Sequence, residues 1–175
     1  MTAFRKNPLF LFCTLVVYLI FPVFSEAQTI ASRPSNELSQ VAGSSPFLRI
    51  NEINAKAARH FVKHFNAEGQ EKWIIIDGFY IASFTKESVR TQVFYTSRGG
   101  FAYTVKNYTA DRLQNDIKTA VLSRFQDHCI DVVTEISILT DQIYYIKIKN
   151  STNIKMIRFA QNSMEVTEDF GNVGG

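Results

Sequence analysis

One pattern occurs twice in this chain and limits what it can fold into: an amphipathic helix followed by four strand-like runs. Between residues 51 and 65, Ile53, Ala57, Phe61 and Phe65 recur at every fourth position, a helix stripe that needs a surface to cover. Asn51 or Asn54 can cap its start, and the Asn66-Ala67-Glu68-Gly69 segment ends it. Lys72–Ile76, Phe79–Phe84, Arg90–Tyr95 and Phe101–Asn107 then read as strands. They are separated by Asp77-Gly78, by Thr85 to Ser88 and by Ser97-Arg98-Gly99-Gly100. Asp-Gly and Gly-Gly suit hairpins because such turns need positive φ.

The pattern then restarts. Leu113, Ile117, Ala120, Val121, Leu122 and Phe125 form a second helix stripe, with Thr109 or Asp111 available as its cap. Strand-like runs follow at Ile130–Leu139, Gln142–Lys149, Asn153–Ala160 and Met164–Asp169. Phe65 corresponds to Phe125, Trp73 to Val133, Tyr80 to Tyr144, Tyr95 to Phe159 and Phe101 to Met164, at offsets that stay between 60 and 64 residues. The predicted fold class is therefore α+β: a tandem duplication of a helix plus a four-stranded antiparallel meander. The helices are expected on one face of a curved sheet of about eight strands.

What precedes the first helix reads differently. Arg5 and Lys6, an apolar run from Pro8 to Phe24, and small residues at Ser25 and Ala27 match a secretory signal peptide over residues 1–27. A transmembrane anchor is the rival reading, but the run is 17 residues long and contains Pro22. Cys13 lies inside the run, not at its end, which argues against lipidation. Residues 28–47 are polar with no period, a flexible leader. The first repeat then spans 48–108, the second 109–170, and 171–175 form a frayed tail. Cleavage after Ala27 predicts a periplasmic or secreted protein without a stable membrane anchor.

The charge left after cleavage is mild: 17 basic and 15 acidic residues, a net of +2, which gives no basis for nucleic-acid binding. One thiol remains, Cys129, so no internal disulfide can form and stability must come from packing. A small buried side chain is the expected role of Cys129. His128 beside it would point to the opposite face of an extended strand, so a working Cys–His pair is not expected.

Few residues suggest catalysis. His60 and His64 have the i, i+4 spacing of zinc ligands, but no Glu follows the first His and no third ligand is visible. A solvated helix face is expected there. Ser97 to Gly100 could pass for a phosphate loop, yet it lies between two strands, with no helix N-terminus in the sequence beside it to hold an anion. Asn107-Tyr108-Thr109 and Asn150-Ser151-Thr152 fit a glycosylation pattern that is common by chance. No nucleophile, nucleotide or acid–base motif occurs, so no enzyme activity, metal or cofactor is expected.

Sheet parity is more informative. Tyr80, Ala82 and Phe84 share one side of their strand, as do Thr91, Val93 and Tyr95, then Tyr144, Ile146 and Ile148, then Ile157 and Phe159. These are assigned to the helix-covered core. The opposite face would carry Phe79, Ile81, Arg90, Gln92, Phe94, Lys106, Tyr145, Lys147, Met156 and Arg158. Aromatics mixed with cations on a face without helices suit a binding surface. Cross-strand pairs on a solvated face would look similar.

Several segments resemble a known family. They are Ala58-Arg-His-Phe-Val-Lys-His-Phe65, Glu71-Lys72-Trp73, Gly78-Phe-Tyr-Ile-Ala-Ser-Phe84 and Arg90-Thr-Gln-Val-Phe-Tyr95 followed by Gly99-Gly100. In the second half they are Val132-Val-Thr-Glu-Ile136, Ile143-Tyr-Tyr-Ile146 and Ser163-Met-Glu-Val166. Over about residues 49–170 the chain resembles the PepSY-like, β-lactamase-inhibitor-protein-like (BLIP-like) secreted proteins of Bacteroidetes. Phe101 stands where that family more often has Trp, and the second helix lacks the usual Leu-Pro at its start. The resemblance implies a duplicated fold and a periplasmic or surface setting, and it assigns no activity.

The resulting expectation is an exported, non-enzymatic module that binds a protein, peptide or envelope component. The alternative is a small ligand carrier or enzyme with a cone-shaped, helix-covered sheet, as in nuclear-transport-factor-like or cystatin-like folds.

Overall fold

A computed structural model describes residues 47–65, 67 and 69–171. The signal peptide, nearly all of the leader and the last four residues of the tail lie outside them. Two ten-residue helices, α1 (Ala55–His64) and α2 (Asn115–Arg124), each precede four strands. The strands are β1 (Lys72–Ile76), β2 (Phe79–Lys86), β3 (Val89–Tyr95) and β4 (Phe101–Tyr108), then β5 (Cys129–Ile138), β6 (Asp141–Lys149), β7 (Ile154–Ala160) and β8 (Ser163–Asp169). All eight form one antiparallel sheet in the order of the chain. The halves join through β4 and β5, where Tyr108 lies opposite Val133 and Thr104 opposite Ser137.

Both helices are shorter at the start than their apolar stripes suggest. Ile50–Glu52 and Ala110–Arg112 form 3-10 turns that lead into them. Asn54 caps α1, its side chain accepting from the Lys56 N–H at 2.9 Å. Neither Thr109 nor Asp111 caps α2: Gln114 occupies the N-cap position and makes no side-chain cap bond, while Thr109 hydrogen-bonds Asp111. Asp111 is thereby used one turn too early to serve the helix.

The stripes do what their period predicts. Ala57 and Phe61 from α1 pack with Trp73, Ala82, Val93 and Tyr95, while Ile53, Phe65 and Phe84 close the edges of this cluster. Ile117 and Val121 from α2 pack with Val133, Tyr144, Ile146 and Ile157. Strand pairing carries parity across the sheet, so both clusters lie on the same face. That is the side assigned to the core from sequence.

The Asp77-Gly78 turn is as predicted, and the turns after β2 and β7 are tighter than expected. Ile76↔Phe79, Lys86↔Val89 and Ala160↔Ser163 close two-residue hairpins over Asp77-Gly78, Glu87-Ser88 and Gln161-Asn162, whose φ angles are all positive. The β5–β6 turn is Leu139-Thr140, one residue earlier than the predicted Thr140-Asp141, with Leu139 at φ 55°. Glu87 and Ser88, at 49° and 64°, adopt a conformation that favours Asn-Gly. Ser88→Gly should therefore raise stability by about 0.5 kcal/mol. A thermal melt that shows a loss would mean that the Ser88 side chain makes a stabilising contact of its own.

Candidate functional site

The face away from α1 and α2 is the candidate site. Cross-strand register places nine of the ten predicted residues on it. Ile81 sits opposite Phe94, Ser83 opposite Gln92 and Ile76 opposite Phe79, while Arg90 faces Asn107, Tyr145 faces Arg158 and Lys147 faces Met156. The same register adds Ile74, Tyr103, Val105, Ile136 and Ile143, which single-strand parity missed. The signal was present in each strand's alternation, but it needed the pairing to decide which side each strand presents.

Lys106 is the exception. It lies opposite Thr91 and Glu135, on the helix side. The Phe94/Tyr95 bulge in the β3–β4 pairing brings Tyr95 opposite Phe101, and from Tyr103 onward the even-numbered residues of β4 take the helix side. Lys106 reaches Glu135 Oε1 at 3.3 Å, and the Tyr108 hydroxyl donates to Oε2 at 2.7 Å. Burial first, then this bond to Glu135, drives the Tyr108 pKa up. With buried Thr91 and Thr104, this group forms a polar seam between the two apolar clusters.

Exposure on the candidate face also differs from the expectation. Ile81, Phe94, Tyr145 and Met156 are buried, each below a tenth exposed. Phe79, Gln92, Lys147 and Arg158 are half-buried, and Arg90 is exposed. The face shields itself in part. Phe94 stacks on Tyr103 with centroids 4.3 Å apart, and Phe79 packs against these rings at 6.5 and 6.4 Å. An uncovered sheet side is thus not a bare one when its own rings interlock. Lys147 is also partly neutralised, since Asp131 bridges it at 3.3 Å and Lys149 at 2.5 Å. Those lysines, Lys149 first, hold the Asp131 carboxyl below its usual range.

The other residues singled out in the sequence have structural partners. His60 does not stand on a solvated face: its Nδ1 is 3.1 Å from the Tyr95 hydroxyl, and its ring stacks on Phe101 and His64. Desolvation, then His64 and Lys63, lowers its pKa. Among the described residues, no three metal-ligating side chains cluster. The Ser97 to Gly100 loop does meet a helix N-terminus, because Gly99 packs against Asn54 and Ala57 of α1. That terminus is already capped by Asn54.

Cys129 is exposed, not buried, and its thiol donates to the Lys149 carbonyl at 3.3 Å. It opens β5 beside a wide depression lined by Asp127, His128, Lys149, Asn150 and Thr152, where the strand has not yet entered the apolar cluster. His128 turns inward instead, its Nδ1 2.7 Å from Asp127 Oδ1 and its Nε2 3.3 Å from Asn153 Oδ1. This bond to His128 is the main reason the Asp127 carboxyl titrates low.

No protein-family model and no curated protein matches the sequence. Solved structures do. A DUF2874 family protein from Bacteroides ovatus aligns with TM-score 0.55 and 20% identity, covering 67% of this chain and 86% of that one. A BLIP-like protein from Bacteroides fragilis aligns with TM-score 0.55 and 12% identity over 77% of this chain and 92% of its own. A third, from Bacteroides eggerthii and provisionally described as periplasmic, gives 0.52 and 18%, with coverages of 67% and 87%. At these identities the likeness establishes the fold. The chain is an α+β protein with an open eight-stranded antiparallel sheet and two helices, an architecture it shares with a BLIP-like protein. Among the described residues, no helix is long and apolar enough to cross a membrane.

Proposed function

We propose that this protein is an exported, non-enzymatic binding module of the cell envelope, and that it takes a protein or peptide segment on the helix-free side of its sheet. The observation that carries this reading is the composition of that side. An antiparallel sheet with helices on one face ordinarily turns polar residues to water on the other. Here Ile74, Phe79, Ile81, Phe94, Val105, Ile136, Tyr145 and Met156 run across the second face from β1 to β7. Six of these eight side chains are less than a tenth exposed, so the surface this face offers a partner is half-buried Ile74 and Phe79, ringed by half-buried Gln92, Lys147 and Arg158 and exposed Arg90. Arg90, exposed beside this tract, favours an acidic partner and sets its orientation, while half-buried Arg158 lies opposite Glu165 on β8.

The neighbouring folds are compatible with this reading. One is described as BLIP-like and one provisionally as periplasmic. The Met1–Ala27 segment, read as a cleaved signal peptide, would deliver the chain to such a compartment. The recurrence of a 3-10 turn, a helix and four strands in each half favours descent from one copied unit, in keeping with the PepSY-like resemblance. The carrier or enzyme alternative requires a deep cavity with inward polar groups, and the depression beside His128 is too open to serve as one.

The test is charge reversal. Arg90→Glu with Arg158→Glu should reduce partner recovery by tenfold or more when native envelope fractions are crosslinked and read by mass spectrometry. Arg90→Glu alone, at an exposed position, should move the thermal midpoint by no more than about 3 °C, whereas Arg158→Glu also sets a like charge opposite Glu165 and lowers it further. Unchanged recovery from a folded double variant would place the binding surface elsewhere.

A further inference from the structure

The two helices hold equivalent places in the two halves but present different outer faces. Counted from the N-caps Asn54 and Gln114, Ala57 and Phe61 of α1 match Ile117 and Val121 of α2, and all four are buried. The outward positions do not match. α1 carries Lys56, Arg59 and Lys63 there, all exposed, at the i, i+3, i+7 spacing of one helix face. At the same positions α2 has Asp116, Thr119 and Ser123. Val62, on the same side, is 76% exposed, whereas its counterpart Leu122 is half-buried. α1 contains no acidic residue. Arg98, also exposed, adds a cation in the loop that Gly99 seats on the first turn of α1.

The fold does not balance this charge. Among the described residues, no ion pair involves Lys56, Arg59, Lys63 or Arg98. The Glu52 carboxylate, just before the helix, accepts the Arg49 N–H instead. Like charges three and four residues apart repel along a helix. The helix dipole accounts for Lys63 in the last turn, but it opposes Lys56, which stands in the first turn where α2 has Asp116. A row that costs the helix stability and finds no counter-charge in the fold is explained by a partner outside it. The row holds no aromatic to anchor in a fixed pocket, only long cationic stems around one small apolar side chain. Such a face suits a diffuse anionic surface more than a shaped protein interface.

We propose that the outer face of α1 docks this protein on an anionic phospholipid membrane. Lys56, Arg59 and Lys63 meet the headgroup phosphates, and Val62 reaches the boundary between headgroups and acyl chains. α1 then lies in the plane of the bilayer. The helices and the candidate face are on opposite sides of the sheet, so this docking leaves the candidate face turned away from the lipid. Docking through α1 does not depend on what that face binds.

Each cation near an anionic surface strengthens partition about fivefold, so three give on the order of a hundredfold. The full chain, purified in the form the cell releases, should therefore cosediment with vesicles of phosphatidylcholine containing about 30% phosphatidylglycerol, and hardly with phosphatidylcholine alone. Salt at about 0.5 M should release it. Lys56→Gln, Arg59→Gln and Lys63→Gln together should weaken partition about tenfold or more. The thermal midpoint of that triple variant should be no lower than that of the unsubstituted chain, because repulsion along α1 is relieved. A second readout does not rely on those substitutions. A polarity-sensitive dye on Val62→Cys, in a Cys129→Ser background, should shift to the blue on the anionic vesicles. The same dye on Thr140→Cys, in the β5–β6 turn, should not. Equal binding to both kinds of vesicle, unchanged partition of the triple variant, or matching dye shifts at both positions would overturn the proposal. So would failure to bind the anionic vesicles, and capture of poly-glutamate by the same chain would then assign the face to an acidic protein.

Discussion

Gly99→Ala is expected to lower the unfolding free energy by about 2–4 kcal/mol, a loss out of proportion to one methyl group. Two costs combine. Gly99 has φ +73°, where an L side chain is strained, and a Cβ placed there would stand 2.2 Å from Asn54 Oδ1 and 3.1 Å from the Ala57 nitrogen. Asn54 cannot simply yield, because the same oxygen accepts the Lys56 N–H and caps α1. The new methyl therefore expels the cap or pushes the β3–β4 loop off the helix. Gly78→Ala is the control: φ is +79°, but nothing lies within 4 Å, so it should cost only about 1 kcal/mol. Denaturant melts of both variants give the difference. Adding Asn54→Ala to Gly99→Ala should add almost nothing, since the cap is already lost. Similar losses at Gly78 and Gly99 would mean that the loop and helix do not lock together.

That lock illustrates what the sequence could and could not reveal. Period and turn chemistry located both helices and all eight strands to within a few residues, because a stripe at every fourth position and an Asp-Gly pair are local signals. The hairpins at Glu87-Ser88 and Leu139-Thr140 were misplaced by a residue or more because those turns lack Asn or Gly at the positions that need positive φ. Lys106 fell on the wrong face because one bulge in the β3–β4 pairing shifts its strand, and a bulge leaves little trace in alternation. The ten-residue list for the candidate face was otherwise sound in placement. It erred on exposure, since ring stacking such as Phe94 on Tyr103 depends on register across strands 94 and 103 residues into the chain. The loop at Gly99 looked remote from any helix terminus for the same reason: Asn54 is 45 residues earlier.

Phe61→Ala should cost about 3–5 kcal/mol and shows whether the two halves behave as one cooperative unit. Phe61 is 2% exposed and lies at the centre of the first cluster, with Trp73, Phe65 and Phe84 rings 5.3, 5.5 and 5.7 Å away. Its neighbour Val62 is 76% exposed, so Val62→Ala should cost almost nothing and isolates packing from helix propensity. No hydrophobic contact with the second cluster is needed for the loss to spread, because β4 and β5 bond the halves into one sheet from Thr104↔Ser137 to Tyr108↔Val133. Trp73, the only tryptophan in the chain, sits in the first cluster, so its fluorescence follows that half while far-ultraviolet circular dichroism follows the whole sheet. With a shared sheet the two signals should fall together in Phe61→Ala, at a midpoint well below that of the unsubstituted chain. If fluorescence falls first while half the dichroism persists, the polar seam of Thr91, Thr104 and Glu135 separates two units that fold independently despite their hydrogen-bonded junction.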